Sequence, residues 1–207
     1  LRRGHTATLL NDGRVLLVGG LFYSVSDDGQ PDEQTWVVAH FFDSKSDDFK
    51  TPVIMIGQRA YHTATELDDG RVLIVGGRFE GNALASSEVF DPATNTSVVG
   101  PELSSARYNH LAIRIASSTV AVIGGQGDNG VLDTVEFLTA GEPLSVVATG
   151  KLSQARAYAV GSLVANAEAL LIGGGFGEAV TRPETGNGLG SMELFEINRS
   201  DLASSGP

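Results

Sequence analysis

Cysteine is absent from the 207-residue chain. That excludes disulfides, thiol nucleophiles and thiolate metal sites. Basic residues are scarce: Lys and Arg number 14 against 25 Asp and Glu, a net charge of −11. A protein that neutralises phosphates needs a basic face, and no Lys/Arg cluster occurs, so nucleic acid is not an expected partner. The same charge disfavours docking on an anionic membrane surface. No apolar run approaches the ~20 residues of a membrane span. No signal peptide is visible. The chain starts at Leu1 already inside a repeat, so any targeting segment is expected upstream of it. Amphipathic helices are missing too, because the apolar segments are short and broken by glycine-rich turns. Residues 104–112 could pass for a short helix, but their register with the repeats makes them a loop entering a strand.

What the chain has is glycine, 26 residues of it, and a phrase repeated four times. The clearest copy is residues 59–77, which reads as strand, Asp69-Gly70 turn, strand, double glycine. The others are residues 2–20, 107–125 and 156–174, and in each the arginine precedes the first glycine of the pair by 17 positions. The structural repeat positions are Arg2, His5, Gly19 and Gly20; Arg59, His62, Gly76 and Gly77; Arg107, His110, Gly124 and Gly125; and Arg156, Gly173 and Gly174. The periods, 57, 48 and 49 residues between first glycines, are those of an array rather than of independent domains. The nearly continuous apolar second strands imply sheets buried on both faces, so the repeats must stack.

Strands are expected at 6–10, 14–18 and 36–43, with a fourth within 49–56. The second repeat should have them at 63–67, 71–75 and 87–90, followed by a turn at 91–95. The third should have them at 110–115, 119–123, 134–138 and 144–148, and the fourth at 159–164, 169–172 and 192–197. Residues 21–35 and 175–190 read as long connections, and the outer strand of the last repeat as short or missing.

Each unit thus runs Arg-x-x-His, strand, Asp-Gly turn, strand, Gly-Gly, loop, and in the second copy Glu88-Val89-Phe90-Asp91-Pro92. This resembles the kelch repeat, particularly the bacterial type similar to the propeller domain of galactose oxidase. The resemblance spans essentially the whole chain. It implies an all-β fold, a kelch-type β-propeller of about four blades, an incomplete or open part of a larger ring. The array is a single one over residues 1–207, with blades at about 1–57, 58–105, 106–154 and 155–207. There are departures. Phe49 and Ser97 stand near the place of the kelch tryptophan. Ala159 replaces the histidine of the fourth copy, and His40 takes the third-strand position held elsewhere by Glu88, Glu136 and Glu193.

The repetition itself weighs on the candidates for chemistry. His5, His62 and His110 are one repeat position, and residues on blades ~10 Å apart rarely converge on one metal. They read as buried hydrogen-bonding groups, and no metal or cofactor is expected. The repeated arginines suit ion pairs with the third-strand glutamates, or alternatively a cationic ring for a carboxylate. The paired glycines are strand ends needing unusual backbone angles, not a phosphate loop. The acidic stretch 26–33 lacks the spacing of an EF-hand. The copper chemistry of galactose oxidase needs a cysteine and cannot arise in this chain.

The first reading of function is a non-catalytic module that binds a protein or glycan through the loops of one face. The alternative is a carbohydrate-active enzyme, such as a sugar mutarotase, which the resemblance also admits. In a four-stranded meander the 2–3 loops and 4–1 connections share a face, and here they carry the variable residues. Variable loops on a rigid scaffold are where binding resides. The candidate ligand-binding residues are therefore Asp27, Asp28, Tyr61, Arg78, Asn109, Gln126, Asp128, Tyr158, Arg182 and Glu184. Exposed blade ends would permit self-association, and the resemblance implies export or surface attachment.

Overall fold

The computed structural model describes residues 2–25, 29, 31–141, 144–164, 168–177 and 188–197, and among them it contains strands but no helix. Four antiparallel meanders follow one another. The first joins Thr6–Leu9, Arg14–Val18 and Val38–Asp43, with its outer edge split between Asp48–Phe49 and Val53–Ile54. The second runs Thr63–Glu66, Val72–Val75, Ser87–Asp91, Thr96–Val99. The third runs Leu111–Arg114, Thr119–Ile123, Thr134–Thr139, Ser145–Lys151. The fourth has Val160–Val164, Ala169–Gly173 and Met192–Glu196 among the described residues.

The first strands lie against one another in order, Thr6–Leu9 on Thr63–Glu66, that on Leu111–Arg114, and that on Val160–Val164. They therefore line an axis, and the meanders radiate from it as propeller blades. Three apolar seams hold the blades together. Leu16, Val18 and Phe41 meet Val72, Ile74 and Phe90; Leu73, Val75 and Val89 meet Val120, Val122 and Leu138; Ala121, Ile123 and Phe137 meet Leu170 and Ile172. The second strands of the middle two blades send alternate side chains into both flanking seams, which is why their sequences are apolar throughout. A buried Val, Leu or Ile contributes about 1.5–3 kcal/mol at such a seam. The arc is open: Leu9 on the first blade and Val160, Met192 and Leu194 on the fourth are exposed.

Three local features differ from the sequence expectation. Residues 21–35 are not a plain connection: Leu21–Val25 and Pro31–Thr35 form a hairpin, with Arg2–Arg3 as its third strand. Short hairpins also follow the next two glycine pairs, Arg78–Phe79 with Asn82–Ala83 and Gln126–Gly127 with Gly130–Val131. In the fourth repeat the pair at positive φ is Gly174-Gly175 (66° and 85°), not Gly173-Gly174. Gly173 still pairs with Val160 in the sheet. One extra residue before the second strand shifts this copy, and the triple glycine hides the shift.

Candidate functional site

The repeated arginine anchors the approach to each blade. The Arg59 guanidinium donates to the carbonyls of Gly76 (2.6 Å) and Ser86 (3.1 Å), and its Nε lies 3.2 Å from Glu88. Arg107 donates to Gly124 O (2.8 Å), Thr134 O (3.1 Å) and the Glu136 carboxylate. Arg156 donates to Gly174 O and Ser191 O, both at 3.2 Å, and faces Glu193 at 3.8 Å. The second carboxylate oxygen of Glu88 and of Glu136 accepts a backbone N–H from the incoming 4–1 connection, Ile56 and Ser104 respectively. Arg2 differs. It donates to Gly19 O and meets His40 Nδ1 at 3.3 Å. The His40 pKa is held below the usual histidine value by burial and then by the Arg2 charge. These contacts tie the incoming 4–1 connection to the double glycine and the third strand.

The residue two positions after each arginine is left-handed: Gly4 (φ 64°), Tyr61 (57°), Asn109 (52°) and Tyr158 (58°). The last three each donate a backbone N–H to the carbonyl of the equivalent residue on the preceding blade: Tyr61 to Gly4 (2.6 Å), Asn109 to Tyr61 (3.0 Å), Tyr158 to Asn109 (2.9 Å). Bulky residues are strained in this region. The ladder holds them there, and it turns their side chains over the axis. The Tyr61 ring packs over Gly4, where a Cβ would stand 3.0 Å from it.

Beneath the ladder lie His62 and His110, both buried. Each reaches the first strand of the preceding blade, His62 Nε2 to Thr6 Oγ1 (3.0 Å) and His110 Nε2 to Thr63 Oγ1 (2.8 Å). In the next seam both partners change together: Ala159 stands for the histidine and Leu111 for the threonine, and both pack into the apolar seam. Burial pushes the His62 pKa well below its ordinary value, and nearby positive charge adds to that. Burial and then Arg107 bring His110 to about 3. Both imidazoles are therefore neutral at physiological pH. Their Nδ1 atoms are buried without a hydrogen-bond partner.

Ladder and imidazoles together line an axial cavity of about 320 Å³, bounded by Gly4, His5, Tyr61, His62, Asn109, His110, Tyr158 and Ala159. A shelf adjoins it. Tyr108 stands 6.5 Å from Tyr61 ring to ring, and Arg78 lies 5.9 Å above Tyr108. Phe176 meets Tyr158 edge-on at 6.0 Å. Backbone bridges tie this rim together, Ala60 with Arg78, Tyr108 with Gln126, Ala157 with Phe176. No group of three or more metal-ligating side chains occurs among the described residues.

Of the candidate ligand residues, Tyr61, Asn109 and Tyr158 line the cavity, with Arg78 and Gln126 beside it. Asp128 is engaged elsewhere, accepting the Ala83 N–H of the preceding blade at 2.7 Å. Asp27, Asp28, Arg182 and Glu184 lie outside the described residues. Gly4, Tyr108 and Phe176 were not among the candidates. Tyr108 was readable by aligning the residue after each arginine, where the other copies carry Arg3, Ala60 and Ala157. Phe176 was masked by the one-residue shift of the fourth repeat.

Comparison with known proteins agrees with this geometry. Residues 59–104, the second blade, match the kelch motif. Kelch repeats commonly mediate protein binding. A search of curated proteins returned no match.

Proposed function

We propose that this kelch-type propeller arc is a non-catalytic binding module, and that its partner is a protein held on the face formed by Tyr61, Arg78, Tyr108, Asn109 and Tyr158. One observation carries the reading: a hydrogen-bonded ladder forces two tyrosines and an asparagine into left-handed backbone around an open cavity. Rigid aromatic side chains provide large contact area at small entropic cost, and they dominate protein interfaces. His110 is not poised as a general base at neutral pH. A general base works best with a pKa near the operating pH, and His110, at about 3, is far from that. A glycan on the same aromatic face is the alternative ligand, and export or surface attachment accords with either.

The test uses the protein's own sequence. Asn109 occupies the ladder position of Tyr61 and Tyr158, so Tyr61→Asn with Tyr158→Asn keeps the backbone conformation and removes the aromatic surface. Protein ligands selected by display against the wild-type chain should lose affinity at least about tenfold on this double variant. They should be indifferent to Asp12→Ala with Asp69→Ala on the opposite face. The opposite pattern overturns the assignment, and glycan-array hits that depend on Tyr61 and Tyr158 without any protein ligand would replace it.

A further inference from the structure

Arg14, Arg59, Arg71, Arg107, Arg114 and Arg156 each face a carboxylate. Arg78 faces none among the described residues. It is half-buried, and its Nε is enclosed without an acceptor. One side of the guanidinium is taken by the Tyr108 ring. Its positive charge reaches the phenols of Tyr108 and Tyr158. Asp128, on the neighbouring loop, is already bound to the Ala83 N–H and makes no ion pair with it. Beside Arg78 stands Gly81, at φ 87°, where even a Cβ would stay 3.8 Å from the guanidinium. The guanidinium is thus stacked on one face, and its enclosed Nε is short of an acceptor. Such an arginine keeps its terminal N–H donors for an incoming oxyanion.

Resting on the protein-binding reading above, we infer that Arg78 is the seat for a single carboxylate of the partner, an Asp or Glu side chain in an otherwise uncharged segment. Chemistry limits the partner to one acid. The chain carries a net charge of −11, which repels a polyacidic ligand at long range. Attraction at Arg78 is local, and Tyr61, Tyr108 and Tyr158 flank the carboxylate with apolar ring surface and phenol hydroxyls. The carboxylate accepts from the Arg78 edge while the neighbouring residues of the segment lie across the tyrosine rings.

The experiment titrates ¹⁵N-labelled protein with the blocked peptides Ac-Gly-Glu-Pro-Gly-NH2 and Ac-Gly-Gln-Pro-Gly-NH2, and with galacturonate. The readouts are the Arg78 Nε–H signal and the Tyr61, Tyr108 and Tyr158 amides. The Glu peptide should shift all four saturably, and the Gln peptide should bind about tenfold more weakly, since only the charged acceptor gains the stronger bond. Arg78→Gln should abolish that difference. Tyr108→Ser, which removes the stacking plate but leaves the backbone bridge to Gln126, should reduce it. Equal binding of the two peptides at these signals removes the carboxylate seat and leaves the binding face standing. Galacturonate binding more tightly than the Glu peptide overturns the peptide partner in favour of a sugar acid. Shifts confined to the opposite face, or no shift from any probe at millimolar concentration, overturn the inference, and shifts confined to the opposite face remove the proposed face as well.

Discussion

At the scale of single residues, the seams show a hydrogen bond replaced whole rather than broken. Thr63 with His110 and Leu111 with Ala159 are the same pair of positions, one polar and one apolar. Removing one partner of a buried hydrogen bond leaves the other unsatisfied, whereas replacing both by apolar groups can be nearly neutral. His110→Ala should therefore cost about 2–3 kcal/mol, and Thr63→Leu with His110→Ala should recover to within about 1 kcal/mol of wild type, both read from urea denaturation. The same pair governs acid sensitivity. The folded-state pKa of His110 is about 3, against about 6.5 when unfolded. Below pH 6.5 only the unfolded chain takes the proton, so stability is complete above that pH and declines as pH falls towards 3, by up to about 1.4 kcal/mol per unit. His62 acts in the same direction. Between pH 6.5 and 5 the double variant should show a flatter stability profile than wild type, and an unchanged slope would refute this source of the pH dependence. A third substitution probes the buried ion pair: Glu136→Gln leaves the Arg107 charge buried and uncompensated, and should lower stability by about 3–5 kcal/mol in the same denaturation experiment.

At the scale of the element, the double glycine is both backbone device and contact surface. Gly76 sits at φ 61°, and a Cβ there would stand 2.5 Å from the Arg107 carbonyl of the next blade. Gly174 has a similar φ, 66°, but nothing within 4 Å of its Cβ position. Gly76→Ala should cost about 3 kcal/mol or more, strain plus overlap, and Gly174→Ala about 1–2 kcal/mol from strain alone. Equal losses would mean that conformation, not contact, is what the glycine supplies. Much of this was legible in the sequence. The arginine-to-glycine spacing located the first and second strands of all four blades to within one residue or so, because period, turn chemistry and apolar runs agree there. The hairpin formed by Leu21–Val25 and Pro31–Thr35 was not legible, since Pro31, Asp32 and Glu33 oppose strand propensity and the pairing with Arg2–Arg3 is tertiary. Loop position alone pointed to Tyr61, Asn109 and Tyr158. Their left-handed backbone was not legible, because tyrosine disfavours it and only the ladder enforces it.

At the scale of the whole molecule, every seam joins blades adjacent in sequence, so stability is a sum of blade and neighbour terms. The outward face of the fourth blade carries Val160, Met192 and Leu194, with Met192 74% exposed. Met192→Ser with Leu194→Ser should reduce binding of a hydrophobic dye without lowering stability by more than about 1 kcal/mol, since little area is lost from the seams. Amide exchange should be graded in the same way, slower in Val72–Val75, flanked by strands and covered by two seams, than in Val160–Val164, which pairs on one side only. The ladder around the axis adds a sense of time to this arrangement. In each rung the donor belongs to the later blade and the acceptor to the earlier one, with spans of 57, 48 and 49 residues from Gly4 to Tyr61, Asn109 and Tyr158. During synthesis at about 5–20 residues per second, the acceptor of each rung thus leaves the ribosome several seconds before its donor. Rungs close only as later blades emerge and stack on earlier ones, so the axial rim is laid down in chain order, and a nascent chain released through Lys151 would hold both the Gly4–Tyr61 and the Tyr61–Asn109 rungs.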